Sequence, residues 1–192
     1  MGFAELIDRL AESMDDAEAL REKALKDSRL VTRESKRAVQ AIHRGEDPAA
    51  HLNEGKRVLD NMSSYLPEGL RSLKGGPVED AMMELAEAFL LSSLLTGEEP
   101  PSPEELGISE RGWILGLGDL PGELRRRALD KLRVGELDEA DSMLSMMEEV
   151  HEALMRFDHP DAVLPLRRKQ DVSRSVLERT RGDVAGAMAR KF

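Results

Sequence analysis

The sequence predicts an all-α protein, and three observations carry that prediction. Ala, Leu, Glu, Arg and Met dominate the composition, whereas the aromatic side chains that enrich strands number only six among 192 residues. Apolar residues recur at three- and four-residue spacings over long stretches. Gly and Pro fall between those stretches more than within them, which marks ends more often than kinks.

The first element is the longest. No Gly or Pro stands between Gly2 and Gly45, and Leu6, Leu10, Met14, Leu20, Leu25 and Val31 follow roughly helical spacing. A helix over residues 3–44 would extend about 65 Å at ~1.5 Å per residue. A chain of this size cannot cover such a length, so part of the apolar face is expected to meet a second copy. Asp47-Pro48 reads as a cap followed by Pro at the first helical position, opening a helix that runs to about Tyr65, before Pro67. Gly75-Gly76-Pro77 separates it from a third helix over about Val78–Leu95, closed by Gly97. Ser102-Pro103-Glu104-Glu105 has the form of a capping box and starts a short helix that Gly107 ends. A fifth helix is expected over about Ser109–Val134 despite Gly116, Gly118, Pro121 and Gly122, residues that stability alone would not select. Residues 136–157 form a cleanly amphipathic helix, and residues 161–182 form the last, with Pro165 in its first turns and Gly182 at its close. This gives seven helices in one domain spanning residues 1–192.

Cysteine is absent, which excludes disulfides, zinc-thiolate sites and cysteine nucleophiles. The first twenty residues carry acids where a secretory leader needs a basic start, and no stretch approaches the ~18 apolar residues of a membrane span. A soluble, cytoplasmic protein is the expectation. The net charge of -10 by itself disfavours nucleic acid, but its distribution is uneven. Residues 21–44 hold eight basic side chains against three acids, residues 125–133 five against one, and residues 167–181 six against two. One basic and one acidic surface follow, the basic one available to polyanions; each run taken alone is equally a solvated helix face.

Two carboxylate pairs stand out. Glu84 and Glu87, at i and i+3 in an otherwise apolar stretch, share one helix face. Burying both is costly unless a cation or a proton compensates, although on spacing alone Glu87 equally flanks the buried stripe and reaches solvent. Asp119 and Glu123, at i and i+4, share a face if the helix continues through Pro121; otherwise Asp119 caps a helix starting at Leu120. Four carboxylates on two helices suit Mg²⁺ or Mn²⁺, hard ions that prefer oxygen donors. The histidines offer less: His43, His51, His151 and His159 contain no pair at zinc-ligand spacing. Glu148-x-x-His151 lacks the second copy that a di-iron bundle needs, its near relative being the reversed His51-x-x-Glu54. Met143, Met146 and Met147 read as core.

The segment from Gly116 to Arg126, GLGDLPGELRR, resembles the translin and translin-associated factor X family, and within it the factor X branch, through Gly116, Asp119, Leu120, Gly122, Glu123, Leu124 and Arg126. Glu84, Glu87 and Ala88 match the Glu-x-x-Glu-Ala of the same branch, while Ala41-Ile-His-Arg-Gly45 and Glu178-Arg-Thr-Arg-Gly182 are similar to translin-like chains more generally. Pro121 departs from the Thr or Ser usual there. The resemblance implies a seven-helix protomer assembling into a hollow octamer around single-stranded RNA or DNA. It further implies a metal-dependent endoribonuclease centre at Glu84, Glu87, Asp119 and Glu123, with Mg²⁺ or Mn²⁺ as cofactor; the translin branch itself lacks these acids and only binds. Under this reading the basic faces supply the phosphate contacts, through Arg29, Arg33, Lys36, Arg37, Arg44, Arg167, Arg168 and Lys169. Two other readings stay open, a catalytically silent binding protein and a helical scaffold whose acidic surface meets a protein partner.

Overall fold

The computed structural model describes residues 2–66 and 76–190. Its helices are α1 (Phe3–Arg44), α2 (Ala49–Tyr65), α3 (Pro77–Thr96), α4 (Pro103–Leu106), α5 (Glu110–Leu117), α6 (Leu120–Val134), α7 (Leu137–Leu154) and α8 (Arg167–Ala189). The described residues contain no strand, and the seven expected helices are all present, the fifth of them in two segments. The punctuation expected at Pro67 and Gly75 lies outside the described residues.

Two layers of helices meet on α3. On one side α1 packs against α2 and α3; on the other, α5 packs on α3, while α6, α7 and α8 pack on one another. The apolar run of α3 forces this central place, since Ala81, Leu85, Ala86, Ala88 and Leu91 are fully buried and a helix apolar on so many sides needs cover on several. Leu59 and Met62 from α2, Leu120 and Leu124 from α6, and Met147 and Leu154 from α7 complete the core. Polar ties fix the ends. The Tyr65 hydroxyl donates to Asp27 at 2.8 Å while the Lys23 ammonium lies 3.7 Å from the same ring. The Gln170 amide donates to the carbonyls of Leu154 and Phe157, satisfying the C-terminal turn of α7.

The N-terminal part of α1 projects from this body. Nothing in it is buried before Ala24, and Phe3, Ile7, Leu10 and Met14 form a stripe along one face, each at least 46% exposed. An apolar stripe of this length left in water matches the expectation that a further protein surface covers it. Among the described residues no helix is long and apolar enough to cross a membrane.

Three boundaries differ from the sequence expectation. Pro48 rather than Asp47 occupies the residue before α2, yet the Asp47 carboxylate still caps it by accepting from the Ala49 amide at 2.9 Å. The helix expected over 109–134 breaks at Gly118-Asp119, because Pro121 has no N–H to continue the ladder and fits instead in the first turn of α6. The last helix starts at Arg167, not 161, since Pro165 steers Leu164 away from helical backbone. It then runs through Gly182 to Ala189, where burial of Val184 outweighs the propensity cost of glycine.

Gly116 explains why this segment tolerates so many glycines. A Cβ there would stand 2.6 Å from the Met83 carbonyl, 2.8 Å from the Ala86 Cβ and 2.9 Å from the Glu87 amide, so α5 crosses α3 backbone against backbone. A Cβ on Gly122 would meet nothing within 4 Å. Gly116→Ala should therefore cost about 1–3 kcal/mol of overpacking strain, whereas Gly122→Ala should be neutral or gain up to ~1 kcal/mol of helix propensity. Urea denaturation of the two variants checks this, and equal effects would contradict it.

Candidate active site

The close crossing of α5 over α3 brings the two acidic pairs together. Glu84 and Glu87 face outward from α3, Asp119 sits in the turn between α5 and α6, and Glu123 lies in the first turn of α6. All four line one depression of about 490 Å³, together with Lys36, Val39 and Gln40 of α1 and Arg126 of α6. Asp119 occupies the capping position of α6 but makes no side-chain capping bond; its carboxylate is bonded to Lys169 from α8 instead. The Lys169 stem lies across Gly118, where a Cβ would come within 2.6 Å of it, so glycine at 118 is what lets the lysine reach.

Each of three acids has a cationic or hydrogen-bonding partner. Lys36 Nζ is 3.2 Å from Glu84, Lys169 pairs with Asp119, and the almost fully buried His43 is bonded through Nε2 to Glu123. Glu87 is the exception. Burial, and then the negative charges of Asp119, Glu123 and Glu84, push its carboxyl up to about 8, only partly countered by Lys169. Glu123 moves the other way, because the His43 bond holds it below its ordinary value despite burial. The donor set is four carboxylates, hard oxygen donors of the kind that suit a divalent ion. Among the described residues no three His, Asp or Glu side chains are arranged to hold a metal as they stand. Lys36 and Lys169 are bonded to two of the carboxylates in this arrangement.

A second depression of about 680 Å³ adjoins the first and shares Lys36, Gln40 and Glu84 with it, so the two form one groove along α1. Arg29, Arg33, Lys36 and Arg37 line it. Beneath it lies buried Glu34, which takes Arg37 at 2.9 Å, Arg33 at 3.3 Å and His51 at 2.8 Å. Burial alone would raise the Glu34 pKa, but these partners outweigh it and hold the carboxyl low, so the two guanidinium groups are anchored facing the groove.

The remaining basic residues divide. Lys169 belongs to the acidic depression, whereas Arg44 lines a separate hollow with Arg127 and Lys131, and Arg167 one with Asp158 and His159. Arg168 is exposed on α8. The basic run at 125–133 is mostly spent on the fold, through Arg125 with Asp183, Arg127 with the Ile42 carbonyl, Lys131 with Glu136 and Glu139, and Arg133 with Asp130. Only Arg126 of that run reaches the site. Glu148 and His151 point to Arg181 and Ser173, while Glu54 pairs with Arg57 and His51 with Glu34, so neither Glu/His pattern assembles into a metal site. His43 and Gln40 escaped the sequence reading; the available signal was that 36, 40 and 43 share a face of α1.

No family model matches the chain. An uncharacterized protein of Methanocaldococcus jannaschii, MJ0175, is 36% identical over 173 residues, covering 87% of this chain and 76% of the relative. Among solved structures, AfC3PO in complex with duplex RNA superposes with a TM-score of 0.86 at 32% identity, over 96% of this chain and 97% of that one. A crystal structure of AfC3PO gives the same TM-score at 33% identity over the same shares. Apo-NeC3PO, at 20% identity with a TM-score of 0.82 over 94% of this chain and 96% of that one, shares the fold.

The raised Glu87 makes a stability prediction. Between about pH 4.5 and 8 the folded chain keeps a proton that the unfolded chain releases, so this residue's contribution to stability falls as pH rises through that window and levels off above it. Glu87→Gln removes the titration. Without divalent cations the variant should gain stability over wild type progressively from pH 5 to pH 8 in urea denaturation; a difference independent of pH would contradict the assignment.

Proposed function

The chain belongs to the translin family, and on that footing we propose that it is a metal-dependent endoribonuclease acting on single-stranded RNA within a closed, octameric assembly of its own copies. One observation carries the reading: the four carboxylates share a depression that opens into a groove lined with arginine and lysine. A basic groove alone would suit any polyanion, and an acidic pocket alone would repel one. Their junction supports the reading, since a phosphate backbone lying in the groove would run beside acids suited to a cation. The duplex RNA bound by AfC3PO supports RNA as the polyanion.

Glu84, Glu87, Asp119 and Glu123 are the residues that would hold Mg²⁺ or Mn²⁺. When bound, such an ion supplies Lewis-acid polarisation of the phosphodiester and activation of the attacking water. Arg29, Arg33, Lys36 and Arg37 bind phosphates along the groove without reading bases, which gives broad sequence tolerance. With a cation held by these acids, Lys36 and Lys169 would be free of their carboxylates and available to the charge that develops on the scissile phosphate. Glu87, whose proton is held by burial and the neighbouring acids, would serve as a carboxylate ligand once a positive charge offset those acids.

Cleavage of unstructured RNA with and without Mg²⁺ or Mn²⁺ tests this, with duplex RNA as a parallel arm. Asp119→Asn should lower the rate by roughly a hundredfold or more, the loss expected when one charge-stabilising group is removed, while RNA binding is kept. Wild type that cleaves nothing, or a variant that cleaves equally well, would leave the second reading, a silent RNA-binding protein. That reading is favoured by the pairing of two acids with the ammonium groups of Lys36 and Lys169. Binding is tested separately. Replacing Arg33, Lys36 and Arg37 by Ala should weaken all single-stranded RNA sequences about equally and flatten the log–log salt slope by about 2, the loss of three phosphate contacts at ~0.7 each on a single strand. Unchanged affinity would show that this face is only solvated.

A further inference from the structure

We propose that His43 is a positioning residue that fixes the Glu123 carboxylate for a divalent cation, an inference that rests on the acidic depression being a cation site. His43 stands in the last turn of α1 with only 4% of its side chain exposed, and its Nε2 is bonded to Glu123 Oε2. Its other nitrogen, Nδ1, is buried and has no hydrogen-bond partner. A carboxylate only accepts, so the ring's Nε2 carries the hydrogen of this bond. It donates one directed bond and leaves Glu123 its negative charge, with Oε1 as the donor for a cation.

The backbone beneath the ring is clamped. Arg127, one turn along α6 from Glu123, donates to the Ile42 carbonyl at 2.8 Å. The Gly45 amide reaches the same carbonyl at 3.1 Å, with glycine in left-handed backbone at φ 71°, and the Glu46 amide bonds to Ala41 at 2.9 Å. Residues 123 and 127 of α6 therefore grip residues 43 and 42 of α1. A histidine that only tied two helices together would not need to end on one of the four site carboxylates.

The test is Mn²⁺ titration by calorimetry of the whole protein, with melting temperatures measured alongside. Gln has the reach to place an amide N–H near the Nε2 position, whereas Met has equal length and no donor. His43→Gln should keep Mn²⁺ affinity within about threefold, and His43→Met should weaken it by roughly 10–100-fold, the range for a lost partner of a metal ligand, with similar melting temperatures. His43→Asn, shorter and without steric strain, should behave as the Met variant and serves if Met crowds the site. Equal Mn²⁺ affinity in the Met and Asn variants and wild type, or equal loss in the Gln and Met variants, would overturn the proposal. Glu123→Gln is the control for the underlying reading. If it binds Mn²⁺ as wild type does, or wild type binds none, the cation site itself fails and the role of His43 falls with it.

Discussion

Four carboxylates in one depression repel one another, and the local structure follows from how that repulsion is met. Like charges withdrawn from water need a counter-charge, a proton or a metal ion. This chain supplies the first two from distant parts of the sequence: counter-charges from Lys36 of α1 and Lys169 of α8 and a proton held on Glu87, with a hydrogen bond from His43 to Glu123 beside them. Stability alone would be served better by Gln or Leu at these positions, because a half-compensated acidic cluster costs more than an apolar one. That cost is why the proposed function gives the four acids a divalent ion.

Glycine sets the spacing of that cluster. With any side chain at 116, α5 would have to back away from α3, and Asp119 and Glu123 would move away from Glu84 and Glu87 with it. Gly118 does the same for the lysine that crosses it. Two positions that look like flaws in a helix are thus the ones that bring acids from separate helices to a common depression, and the break they share with Pro121 turns Asp119 out of the helical ladder towards Lys169.

Much of this was legible in the sequence. Gly45, Gly97 and Gly107 end helices in left-handed backbone, as glycine after an apolar period implies, and Ser102 with Glu105 forms the capping box its spacing announces. The acidic pairs were visible as i, i+3 and i, i+4 spacings, but their convergence depends on a helix crossing that no local pattern encodes. Nothing local marks His43, whose partner is 80 residues away, or distinguishes Lys169, whose partner Asp119 is 50 residues away, from a phosphate contact. The basic run at 125–133 misled in the opposite direction. Its charges mostly meet acids and carbonyls of neighbouring helices, which composition cannot distinguish from a polyanion-binding face.

The basic groove and the acidic depression share Lys36, Gln40 and Glu84, so under the proposed function binding and chemistry would depend on the same stretch of α1. The account stands on the acidic depression gathering a divalent ion. Anomalous diffraction from crystals grown with Mn²⁺ tests that most directly. The account predicts one strong peak within coordination distance of carboxylate oxygens from both helical pairs, Glu84 or Glu87 and Asp119 or Glu123, with the Lys36 and Lys169 ammonium groups displaced from their carboxylates. A map with no peak there, and both lysines still bonded to Glu84 and Asp119, would contradict it.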